Sequence, residues 1–95
     1  MSAFEKIKAG LEDAIAFAEG DASRGRIHVP AEIDVRAIRR TLKLSQAEFA
    51  ASYGFGLHRL RDWEQGRSRP DSAARAYLMV IARDHASVDR ALRVA

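Results

Sequence analysis

The sequence predicts an all-α domain of five helices carrying a helical N-terminal extension. Three observations point to this class. Apolar residues recur three and four positions apart along most of the chain. Asp or Ser stands just before several of those runs, and Gly just after them. The polar–apolar alternation at Arg26-Ile27-His28-Val29 stops at Pro30, which leaves room for one short strand or extended segment.

In the extension, Phe4, Ile7, Leu11, Ala14, Ile15 and Ala18 fall on one helical face, predicting a helix over residues 3–19. Gly10 weakens it by roughly 1 kcal/mol relative to Ala, and Gly20 is its natural stop. Residues 1–30 are therefore read as an extension and 31–95 as the main domain. There, Asp34 caps a helix over 35–42, with Val35, Ile38 and Leu42 inward. A second helix opens on Ser45-Gln46-Ala47-Glu48, a Ser followed three residues later by Glu, the spacing of a reciprocal capping box. Gly54 supplies the positive φ that ends it in a tight turn.

A third helix is expected over 57–65, with Leu60 and Trp63 inward and Gly66 as its stop. Asp71 caps a fourth over 72–83. Its stretch Ala76-Tyr77-Leu78-Met79-Val80-Ile81-Ala82 is apolar almost all round, so the sequence predicts two buried sides for it. Residues 85–94 form a short last helix with Val88, Ala91 and Leu92 packing.

The chain has 95 residues, of which 47% are hydrophobic, enough for one core. It has no cysteine, which excludes disulfides, thiolate metal sites and thiol nucleophiles. His28, His58 and His85 have no metal-ligand spacing. Ser45 and Ser52 lack a His–Asp partnership, so no catalytic residue, metal or cofactor is expected. Gly54-Phe55-Gly56 has no preceding strand and no following Gly-Lys-Ser/Thr, so it is no phosphate loop. No apolar run reaches the roughly 18 residues of a membrane helix. Glu5, Lys6 and Lys8 break any signal-peptide layout. A cytoplasmic protein is expected.

Charge is unevenly placed. The formal net charge is +3, yet residues 1–25 net −2 while residues 36–75, with nine bases and four acids, net +5. A basic centre of this kind points to a polyanion. The two helices joined at Gly54 have the mechanics to present one. Ala47 and Ala50 allow a close crossing, and Leu60 and Trp63 fix the second helix on the first. That crossing is what lets a helix protrude into a major groove.

Val35-Arg36-Ala37-Ile38-Arg39, Leu44-Ser45-Gln46 and Trp63-Glu64-Gln65-Gly66-Arg67 resemble the phage-repressor-type (XRE, Cro/CI) helix-turn-helix domains over about residues 34–81. More closely, they resemble the HigA-like antitoxins of type II toxin–antitoxin systems. The resemblance implies a transcriptional repressor that binds a palindromic operator in double-stranded DNA. It further implies an antitoxin that neutralises a RelE/HigB-type toxin and regulates its own operon. A stand-alone regulator without a toxin is the alternative. The sequence departs from the family at Gly56, where Ser or Thr usually caps the recognition helix, and the pair Leu57-His58 is unusual.

Base contacts are expected from Gln46, Leu57, His58, Arg59 and Asp62, with Arg59 first because its guanidinium can bind guanine bidentately. Phosphate contacts are expected from Lys43, Arg61, Gln65, Arg67 and Arg69. The resemblance implies a structural ion pair between Arg39 and Glu64. A homodimer is expected, with Tyr77, Met79, Val80 and Leu92 at its interface. The acidic extension suits a basic toxin, but it equally suits covering the core or completing the dimer.

Overall fold

The structure, a computed structural model, describes Ile7 and residues 28–93. The helix expected over 3–19 lies outside the described residues except at Ile7, which is helical, half-buried and packed against the core. Of the expected strand, Arg26 and Ile27 lie outside. His28, Val29 and Pro30 are irregular, and no strand occurs among the described residues.

Four helices follow: α1 (Val35–Thr41), α2 (Gln46–Tyr53), α3 (Leu57–Gln65) and α4 (Ser72–Leu92). Three of the four starts are set by a side-chain cap, and α3 begins at Gly56 without one. Asp34 accepts from the Ala37 amide, and Asp71 from the Ala74 amide. Ser45 and Glu48 form the reciprocal box, each side chain bonded to the other's backbone amide. Gly54 and Gly66 take left-handed φ of 80° and 75° at the ends of α2 and α3. Lys43, between α1 and α2, also has positive φ, 59°. Leu42 and Leu44 on either side of it both pack against the core, so the reversal falls on the lysine.

The expected fourth and fifth helices follow one another along α4, which is kinked at the boundary expected between them. α4 runs from Ser72 to Leu92 with a single non-helical residue, Asp84, at φ −152° and ψ 61°. The Asp84 carboxylate accepts from the Ser87 amide and hydroxyl, so a second cap is built into the helix at the break.

Val35, Phe49, Ala50, Tyr53, Leu60, Tyr77, Leu78, Ile81 and Val88 form the core. Both α1 and α2 pack on α4. At 100° per residue, the buried Ala76, Tyr77, Leu78 and Ile81 span more than half of the circumference of α4. The apolar surplus is thus largely absorbed within the domain. Tyr77, expected at a dimer interface, is 3% exposed, and its hydroxyl donates to the Tyr53 carbonyl at 2.8 Å. Val80 and Leu92 are half-buried and pack against the same core, while Met79 is half-buried.

Candidate nucleic-acid interface

The helix pair α2–α3 is locked from both ends. At the turn, Phe55 stacks on Phe49 (centroids 5.7 Å apart) and meets the edge of Trp63 at 5.4 Å. At the far end, Glu64 is the hub. Arg39 reaches it from α1 with Nε donating to Oε2 at 2.8 Å and Nη2 donating to Oε1 at 2.9 Å. Arg39 also donates to the Leu44 carbonyl, which ties down the segment leading into α2. Arg36 and Gln46 each donate to Glu64 Oε1 at 3.3 Å. The hydrogen bonds from Arg39 hold the Glu64 carboxyl below the usual carboxylate range against the opposing effect of burial. In turn the Glu64 bond raises Arg39 above its ordinary value.

α3 turns its remaining residues outward. With Leu60 fully buried, the 100° step places His58, Asp62 and Gln65 farthest from the core. Arg59 and Arg61 flank that ridge on opposite sides, roughly 160° apart by the same step. A helix lying in a major groove has phosphates along both walls, so flanking cations suit it. His58 is 89% exposed and lies 3.5 Å from Asp62 one turn on. Leu57 departs from the expectation that it projects outward. It is half-buried and packs against the core, which leaves less of it for a base. Gln46 is half-buried with its amide turned to Glu64.

Beyond α3 the loop carries Arg67 and Arg69, both exposed. Arg67 lies 4.0 Å from Asp62, and Arg69 is 3.4 Å from Glu32. Arg75 sets this loop in place. Its Nε donates to the Pro30 carbonyl and its Nη1 to the Pro70 carbonyl, both at 2.8 Å. Lys43 is exposed at the α1–α2 turn. The structure thus brings Arg59, Arg61, Gln65, Arg67 and Arg69 onto α3 and the loop beside it. Lys43 stands apart on the α1–α2 turn.

Sequence reasoning missed the roles of Arg36 and Arg75. Arg36 stands three residues before Arg39, on the same helical face, and that spacing was the available signal. Arg75 bonds to carbonyls 45 and 5 residues away, for which no local pattern exists. No group of His, Cys, Asp and Glu suited to a metal ion occurs among the described residues. No described helix is long and apolar enough to cross a membrane.

The chain matches no family model and no curated protein. Among solved structures it is similar to an HTH XRE-family-like protein from Agrobacterium tumefaciens. The two are 55% identical over 65% of this chain and 100% of that one, with a TM-score of 0.62. The capped α2, the glycine turn, the protruding α3 and this similarity converge: the chain belongs to the XRE family of helix-turn-helix DNA-binding regulators.

Proposed function

We propose that the protein is a sequence-specific repressor that reads double-stranded DNA through the outer face of α3. One observation carries this reading: Arg59, Arg61, Arg67 and Arg69 are all exposed on α3 and the loop that follows it, around the exposed His58 and Gln65 and the half-buried Asp62. Arg59 and His58 contact base edges, with Asp62, Gln46 and the exposed part of Leu57 beside them. Arg61, Gln65, Arg67, Arg69 and Lys43 contact phosphates. Selection from a random duplex pool tests this. The expected result is a palindromic consensus that changes at one position per half-site in Arg59→Ala. Recovery of no consensus, or of one unmoved by any α3 substitution, overturns it.

The finer reading makes this repressor an antitoxin. The support is the resemblance to HigA-like proteins and the acidic balance of residues 1–25, which suits a basic RelE/HigB-type ribonuclease. Residues 1–30 are the proposed toxin contact and 31–95 the DNA-binding domain. Co-expression with the product of the adjacent gene tests it. A small basic partner that co-purifies, and whose toxicity the chain relieves, supports the antitoxin. A chain that regulates its promoter with no such neighbour is a stand-alone regulator.

A further inference from the structure

We propose that the cleft between the turn before α3 and the first turn of α4 binds a small planar organic anion, an aromatic carboxylate in the simplest case, and that occupancy opposes DNA binding. The regulatory half of this proposal rests on the function proposed above. The cleft holds about 380 Å³, a size usual for small-molecule sites.

Its walls are aromatic. Phe55, Trp63 and Tyr77 all line it, with Phe55 5.4 Å from Trp63 and 5.3 Å from Tyr77 between ring centroids. Small residues keep it open, Gly56 on one side and Ala74 on the other. Phe55 and Trp63 are half-buried and Tyr77 is buried, so a flat apolar body meets chiefly the first two rings, contacts that favour aromatic partners.

Charge decides which flat molecule enters. Among the described residues, Arg59 and Arg69 line the cleft against one acid, Asp71. A carboxylate oxygen of Asp71 is already engaged by the Ala74 amide at 2.8 Å. Arg69 meets only a long, solvent-exposed contact with Glu32 among the described residues, and Arg59 has no ion pair among them. An anionic group between the two guanidiniums gains charge-assisted hydrogen bonds that a neutral molecule of the same shape does not. These are the same two arginines assigned to DNA, so a ligand that engages them withdraws a base reader and a phosphate contact together.

The probe is 4-chlorobenzoate, with 4-chlorobenzamide as its neutral counterpart, added to the full chain without DNA. Trp63 is the single tryptophan, so its indole N–H gives one resolved signal in a proton–nitrogen correlation spectrum. Saturable shifts are expected at that signal and at the amides of Gly54 and Gly56, with the benzamide about tenfold weaker. Arg69→Gln, at an exposed position, weakens the benzoate alone. Ala74→Leu fills the cleft and abolishes the shifts. In a second arm at matched ionic strength, the benzoate and not the benzamide raises the apparent Kd for a selected duplex. Equal shifts for both probes, or shifts scattered over the surface, overturn the site. Cleft binding with an unchanged DNA Kd overturns the regulation. A chain that binds no duplex even without probe overturns the proposed function and leaves the spectroscopic arm to judge the site.

Discussion

Arg39 holds Glu64 through two parallel hydrogen bonds, at 2.8 and 2.9 Å, and the Glu64 side chain has no solvent exposure. This fork joins α1 to the last turn of α3, so the angle at which α3 stands out depends on it. Arg39→Met leaves a buried carboxylate with only the longer bonds from Arg36 and Gln46. The expected cost is about 3 kcal/mol, the low end for breaking a buried pair, because those two donors remain. For a domain of this size that lowers Tm by more than about 10 °C. A loss under about 0.5 kcal/mol would mean that the pair behaves as a surface contact.

The same pair sets a pH dependence. Glu64 has a folded pKa below its unfolded value of about 4.3. A depressed carboxyl contributes stability that is present above the unfolded value and is lost as pH falls through the folded one. Urea midpoints of the native chain should therefore drop below about pH 4.3. Glu64→Gln should show a lower midpoint at pH 7 and a shallower fall into acid. Parallel acid transitions for the two proteins would remove Glu64 from the account.

Salt separates the two proposed classes of arginine. Neutral replacements of Arg61, Arg67 and Arg69 should each weaken binding to operator and random DNA alike and lower the log–log salt slope by about 1. Arg59→Ala should cost about 1–3 kcal/mol on the operator only. Because Glu32 lies beside Arg69, Glu32→Gln should strengthen binding to all sequences. An Arg59→Ala effect of equal size on operator and random duplexes would make it a phosphate contact.

Two glycines of α3 should respond in opposite ways. Gly56 has an ordinary φ of −69°, and a Cβ there would meet its nearest atom at 3.9 Å. Gly56→Ser supplies the missing cap without strain and should stabilise by a few tenths of a kcal/mol. Gly66 has open space around it but a φ of +75°. Gly66→Ala should cost about 1–2 kcal/mol from the backbone alone. Thermal melts of both variants check this, and a neutral Gly66→Ala would mean that the helix end relaxes.

Signals that act over a few residues were readable in the sequence. The Ser45–Glu48 box, the Asp34 and Asp71 caps and the glycine exits at 54 and 66 each need only neighbours. The outward residues of α3 followed from Leu60 and Trp63 by helix geometry, except Leu57, which the core reaches round to cover, and Asp62, half-buried beside His58 and Arg67. What required distant chain was not readable. Periodicity shows how much of α4 is apolar but not that α1 and α2 pack on it, so it leaves Tyr77 between core and dimer interface, and the structure puts it in the core. Lys43 takes a left-handed turn because Leu42 and Leu44 are both drawn inward, and no local pattern marks a lysine for that. The boundary between residues 83 and 85 was visible, and α4 is kinked there at Asp84, but the cap that the Asp84 side chain makes to Ser87 was not read.

The working DNA-binding unit should be a two-fold dimer. One α3 reaches only a few base pairs, too few to single out one site among the competing sequence of a genome. Pairing doubles the site and makes it a palindrome, with half-site centres about 34 Å apart. With Tyr77, Leu78 and Ile81 committed to the core, the surface left to α4 for this purpose is narrower than its sequence suggests, with Met79 and the outer parts of Val80 and Leu92 remaining. A small apolar patch implies a weak interface, so dimerisation should be strongly promoted by operator. Met79→Glu, at a half-exposed position, should leave the melting temperature nearly unchanged and abolish cooperative occupancy of two half-sites. Light scattering coupled to size exclusion decides the matter. A chain that stays monomeric at tens of micromolar, with operator present as without it, would rule the dimer out.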